Sequence, residues 1–85
     1  MDKRAKVNKG VNAARILNDD VVKEALQEME LMYINDWKTS KVDDVVKRER
    51  AYANMSVLND FISALQSHVD SGKIAGKQLE RDSKL

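Results

Sequence analysis

The sequence predicts an all-α protein: an antiparallel hairpin of two amphipathic helices, preceded by a short N-terminal helix and assembling into a helical bundle. Three observations indicate this class. The 85 residues contain no proline and only three glycines, a composition that suits helices better than strand-and-turn proteins. Two long segments carry apolar residues at helical spacing. A polar stretch of a few residues separates those two segments, as a helix–helix connection would.

We expect three parts along the chain. Residues 1–12 are polar and basic and contain Gly10, which predicts a flexible basic arm. Residues 13–72 are expected to form the helical hairpin domain, which opens with a short helical piece over residues 13–17. Gly72 lies where a helix often ends in a left-handed residue, so residues 73–85 are interpreted as a polar C-terminal tail.

The first long helix is predicted from Asp20 to about Trp37. Asn18 or Asp19 is its candidate N-cap, because a short side-chain oxygen there can accept an unpaired backbone N–H. The apolar residues recur at spacings of four and three and form one stripe, which comprises Val22, Leu26, Met29, Tyr33 and Trp37. We expect the two aromatic residues of this stripe to fill the core at the hairpin end.

The second long helix is predicted from about Val42 to Ser71, after a connection at Thr39 and Ser40 that is short enough to favour antiparallel packing. Its seam follows heptad spacing and comprises Ala51, Met55, Leu58, Ile62, Leu65 and Val69. Because this helix is longer than its mate, we expect its far end to need another cover. The predicted partner or oligomer interface comprises Met55, Leu58, Phe61, Ile62, Leu65 and Val69.

No catalytic residue, metal ligand, cofactor or small-molecule substrate is predicted. His68 is the single histidine and cysteine is absent, so neither a multi-histidine zinc site nor a Cys–His pair can be assembled. We expect His68 on a helix surface near the C-terminal end of that helix. The acidic residues of the first long helix lack the Glu-x-x-His pattern that di-iron bundles require.

Membrane insertion is not expected either. No apolar run approaches the roughly 20 residues that cross a bilayer, and the basic N-terminus is not followed by the apolar block of a secretory signal. Charged residues make up 34% of the chain and hydrophobic residues 42%, a balance typical of folded soluble proteins. We therefore expect a cytoplasmic protein in the cell that makes it.

A nucleic-acid contact is the alternative that the charge pattern leaves open. The first 17 residues hold five bases and one acid, and cations on a mobile segment can neutralise phosphates without base-specific geometry. No aromatic residue lies among them to stack on bases. The candidate nucleic-acid contacts are Lys3, Arg4, Lys6, Lys9 and Arg15.

Six short segments between residues 13 and 75 resemble a group of small helical proteins encoded by tailed bacteriophages and prophages. They are Ala14-Arg15-Ile16-Leu17, Glu24-Ala25-Leu26, Tyr33-Ile34, Trp37-Lys38-Thr39-Ser40, Arg48-Glu49-Arg50-Ala51-Tyr52 and Gly72-Lys73-Ile74-Ala75. The linker of that group usually contains proline, whereas Ser40-Lys41-Val42 stands here. Such proteins are often found among head and packaging genes, and the resemblance implies no catalytic activity.

The leading hypothesis is a non-catalytic, phage-derived interaction protein. It would act through an exposed helix face as a minor virion component or as an assembly or packaging accessory, in the host cytoplasm or associated with the virion. Its expected partner is a second copy or another phage or host protein. The alternatives are a small nucleic-acid-binding protein and an inhibitor of a host protein.

Overall fold

The computed structural model of the chain describes residues 2–84, and these residues form three α-helices and no strand. Helix α1 comprises Lys3–Asn18, α2 comprises Asp20–Lys38 and α3 comprises Val45–Ser83. The all-α prediction is confirmed. The finer prediction of an antiparallel hairpin that assembles into a bundle stays a prediction.

Side-chain caps explain where α1 and α3 begin. The carboxylate of Asp2 accepts a hydrogen bond from the backbone N–H of Ala5 at 2.7 Å, and the carboxylate of Asp44 accepts one from Lys47 at 3.2 Å. Each bond satisfies a backbone donor that the first helical turn leaves without a partner inside the helix. The start of the second long helix therefore lies at Val45, behind an Asp44 cap, and not at about Val42.

Two further predicted helix boundaries are wrong. Residues 3–12 are helical rather than an irregular arm, so α1 begins ten residues before the predicted Ala13. Helix α3 continues through Gly72 to Ser83, so that glycine is inside the helix and residues 73–83 are not an irregular tail. His68 is exposed as expected, but it lies well before the end of α3 and therefore away from the C-terminal dipole.

The chain divides into two compact units. The first contains Met1–Asp19 and Ile62–Leu85, and the second contains Asp20–Phe61. Helix α3 contributes its later part to the first unit and its earlier part to the second.

In the first unit, α1 runs antiparallel to the later part of α3. The ammonium of Lys3 pairs with the Asp82 carboxylate at 2.9 Å, and Gly10, two turns further along α1, lies against Gly72. The buried residues of this unit are mostly small: Gly10, Ala13, Gly72 and Ala75, together with Val69. Since small side chains bring little apolar area, this unit is held by close backbone approach more than by bulk.

The contact between Gly10 and Gly72 leaves no room for a side chain. A Cβ atom added at Gly10 would lie 2.8 Å from the carbonyl oxygen of His68 and 2.9 Å from the Cα of Gly72. One added at Gly72 would lie 3.0 Å from both the Cα of Gly10 and the carbonyl oxygen of Lys6. Glycine inside a helix costs stability in most settings, and here it permits the two backbones to touch.

In the second unit, residues of α2 and of the earlier part of α3 bury Ala51 and Leu58. The predicted seam of α3 is confirmed, because none of its six residues is exposed in either unit. Ala51, Leu58 and Val69 are buried, and Met55, Ile62 and Leu65 are half-buried. Trp37, which we expected in the core, is 49% exposed.

We expect Gly10→Ala to destabilise the chain by about 1–3 kcal/mol, because overpacking outweighs the gain in helix propensity. Chemical denaturation followed by circular dichroism measures the change. Gly76→Ala is the matched control, since a Cβ there would meet only Val7, at an ordinary 3.8 Å. That variant should be neutral or more stable by up to about 1 kcal/mol. Equal stability of the two variants would contradict the close-contact argument.

Candidate functional site

A large part of the apolar surface of this chain faces water. The buried hydrophobic residues among those described are three alanines, one leucine and one valine. The large apolar residues that are exposed are Val11, Ile16, Val21, Met29, Leu31, Met32, Trp37, Val42, Val45, Val46, Tyr52, Val57, Phe61 and Ile74.

An apolar groove lies in the second unit. A groove of about 340 Å³ is lined there by side chains of α2 and α3, namely Leu26, Met29, Tyr33, Asn54, Val57, Leu58 and Phe61. Four of them are accessible apolar or aromatic residues, and we call them the apolar patch: Met29, Tyr33, Val57 and Phe61. Phe61 is 52% exposed and Val57 is 66% exposed.

The helices place the patch residues by their spacing. Met29 and Tyr33 are four residues apart on α2, and Val57 and Phe61 are four apart on α3. Residues at this spacing lie one above the other on the same helix face. Met32 follows Met29 by three residues, is 52% exposed, and extends the same face. Methionine side chains are flexible and polarisable, so this surface can adapt to an apolar partner.

A second groove, of about 310 Å³, adjoins the patch through the shared residue Asn54. Its lining carries charges of both signs and comprises Asp36, Asp44, Val46, Lys47, Arg50, Ala51 and Asn54. The combined surface therefore has an apolar part and a mixed-charge part. Protein interfaces commonly combine an apolar centre with a polar rim.

The structure divides the six predicted interface residues into three groups. Leu58 and Val69 are buried by the chain itself, and Met55, Ile62 and Leu65 are half-buried. Phe61 alone among the six is an exposed residue. Val69 lies in the first unit beside α1, where Val7, Gly10, Val11 and Ala14 line a shared surface depression with it. Helix α1 thus provides part of the cover that the sequence left to an outside partner.

The predicted basic contacts all lie on α1 rather than on an irregular arm. Lys3 pairs with Asp82, and the guanidinium of Arg15 donates to the side-chain oxygen of Asn12 at 3.4 Å. Lys6 and Lys9 line a small surface pocket with His68 and Ser71.

Sequence reasoning did not single out Val57. The signal was present, since Val57 precedes Phe61 by four residues and so lies beside the seam on the same flank of the helix. The described residues contain no group of three or more His, Cys, Asp or Glu side chains arranged to hold a metal ion. None of the described helices has the length and apolarity of a membrane span.

No family model, curated protein or solved structure matches this chain.

Exposure predicts stability effects of very different size for two neighbouring residues. Val57→Ser should change the free energy of unfolding by less than about 0.5 kcal/mol, because the side chain is 66% exposed. Leu58→Ala removes a side chain that is only 6% exposed and should cost about 2–5 kcal/mol. Urea denaturation of the dilute protein measures both. A larger loss for Val57→Ser than for Leu58→Ala would refute this assignment of core and surface.

Proposed function

We propose that this chain is a non-catalytic interaction protein that associates with a second copy of itself through the apolar patch. The observation that carries the proposal is the exposure of Val57 and Phe61 beside Met29 and Tyr33 in one groove. A contiguous apolar surface on a small protein marks a contact site more often than isolated exposed residues do.

The groove linings also support the antiparallel hairpin. Asp36, late in α2, shares a lining with Lys47 and Arg50, early in α3. Leu26, earlier in α2, shares one with Phe61, later in α3. Residues late in α2 thus lie near residues early in α3, and residues early in α2 lie near residues later in α3, as in an antiparallel pair of helices. Two such hairpins joined by their patches would form the helical bundle.

The thin core of the second unit favours a second copy of the chain. Ala51 and Leu58 are the buried hydrophobic residues of that unit among those described, while Val57 and Phe61 of the same helix are 66% and 52% exposed. A small domain with a thin core gains stability when a copy covers such a surface.

The charges beside the patch suit a two-fold symmetric contact. In such a contact each subunit presents the same surface to the other. A surface of one sign would repel its copy, whereas the second groove contains Asp36 and Asp44 as well as Lys47 and Arg50. Acids of one copy can then face bases of the other, which supports self-association over an acidic or basic foreign partner.

The proposal includes no catalytic step, no cofactor and no small-molecule substrate. One histidine and no cysteine leave few means of building a nucleophile and its base. His68, the single histidine, is exposed on α3 and shares its pocket with two lysines and a serine, with no carboxylate in the lining to orient its ring.

The biological setting we propose is that of a phage: a minor virion component, or an assembly or packaging accessory in the host cytoplasm. The residue patterns between residues 13 and 75 support this setting. Self-association suits such a role, because assemblies are built by repeating a contact between identical subunits.

Sedimentation equilibrium over a range of concentrations tests the self-association. We expect the wild-type chain to form a dimer or a larger oligomer as its concentration rises. The double variant Val57→Ser/Phe61→Ser should weaken association by roughly 3 kcal/mol or more, since a two-fold interface loses each side chain twice.

The matched control is Val42→Ser/Ile74→Ser, which removes two apolar side chains that are 94% and 59% exposed and lie outside the patch. It should associate as the wild type does. A wild-type chain that stays monomeric and folded at high concentration would overturn the proposal. Equal weakening of association by the two double variants would also overturn it, because association would then depend on exposed apolar surface in general and not on the patch.

A further inference from the structure

A second surface, in the first unit, contains a cluster of hydrogen-bond donors that self-association does not use. Lys6 and Lys9 of α1 and His68 and Ser71 of α3 line one pocket of about 180 Å³. None of these four lining residues is acidic. Two ammonium groups, an imidazole and a hydroxyl can all donate to the oxygens of an anion.

Two carboxylates near the pocket in sequence or along the helices make contacts with residues outside its lining. Asp82, the carboxylate near the start of α1, is already paired with Lys3 at 2.9 Å. Asp70, the acid nearest in sequence to the α3 members, accepts a hydrogen bond from Gln66 at 3.1 Å. The lining itself contains two lysines and no carboxylate.

The backbone contact of the two glycines positions this cluster. Gly10 follows Lys9 directly and touches Gly72, which follows Ser71 directly. The carbonyl oxygen of Lys6 lies against the same Gly72. Because α1 and α3 approach this closely, the four side chains emerge from two rigid helices on one side of the crossing rather than from a mobile segment.

The charge of α1 as a whole favours a polyanion over a single small anion. Residues 3–18 contain Lys3, Arg4, Lys6, Lys9 and Arg15 and no acid. Lys6 and Lys9 are three residues apart and share one helix face, and such cations can neutralise the phosphates of a nucleic acid backbone, with release of counterions as the driving force. We propose that Lys6, Lys9, His68 and Ser71 bind a phosphate group of a nucleic acid backbone.

This inference is independent of the proposed function, because the pocket and the apolar patch share no residue. A chain that associates poorly, such as Val57→Ser/Phe61→Ser, should keep its phosphate pocket. Failure of one proposal can therefore be told from failure of the other.

Fluorescence anisotropy of a labelled mixed-sequence DNA duplex, titrated with the full chain at several salt concentrations, tests the site. We expect salt-sensitive binding by the wild type. Lys6→Gln/Lys9→Gln removes the two cations that contact the phosphate and should reduce the slope of log K against log salt by about 0.9. Between 50 and 200 mM salt the wild type should then lose about 3.5-fold more affinity than this variant.

The matched control is Lys23→Gln/Lys38→Gln, which removes the same charge from α2 in the other unit. It should bind nearly as the wild type does. His68→Gln and Ser71→Ala, which leave the lysines in place, should each weaken binding at pH 7. Circular dichroism checks that all variants are folded.

Three results would overturn the inference. One is equal loss of binding in the two lysine double variants, which would indicate a net-charge effect alone. Another is the absence of salt-sensitive DNA binding by the wild type. The third is an NMR titration in which inorganic phosphate shifts the resonances of His68 and Ser71 while DNA does not bind, since the ligand would then be a free anion.

Discussion

Close contact between helices through small residues holds this chain together, because the described residues bury no side chain larger than leucine. In the first unit that contact is backbone against backbone at Gly10 and Gly72. In the second unit the buried residues are Ala51 and Leu58, while Val57 and Phe61 stay accessible. Because the core is thin, many apolar side chains remain exposed on the surface. Those exposed side chains provide the surface that is available for a partner.

The sequence predicted the helical class and the seam of α3 because both depend on local spacing. Two helix ends were misplaced because Gly10 was interpreted as a sign of flexibility and Gly72 as a sign of a helix end. Both glycines are inside helices, where they allow a close crossing. A signal for the longer helix was present: Gly72, Gly76 and Leu79 continue the four-and-three spacing of the seam beyond Val69. The structural role of each glycine depends on a tertiary contact between the two helices, and residue spacing within one segment does not encode that contact.

The candidate sites were predictable only in part for a related reason. The seam of α3 identifies the residues that pack, but it does not identify the helix that packs on them. Helix α1 covers part of the seam that we expected a partner to cover. Phe61 was predicted as an interface residue because it adjoins the seam. Val57 was identified only from the residues that line the groove. Lys6 and Lys9 were named from charge alone. Their proximity to His68 and Ser71 arises from the helix crossing and lies beyond any pattern within one segment.

The accessible methionines of α2 have a chemical consequence. Met29 is 37% exposed and Met32 is 52% exposed, so peroxide can reach their sulfur atoms. Oxidation to the sulfoxide adds a polar oxygen to a flexible apolar side chain and is reversed by methionine sulfoxide reductases. On the self-association proposed above, the sulfoxides would favour hydration of the surface that a second copy would cover. Comparing the sedimentation of the chain before oxidation, after oxidation and after enzymatic repair would reveal whether the oxidation state of these two thioethers changes its association.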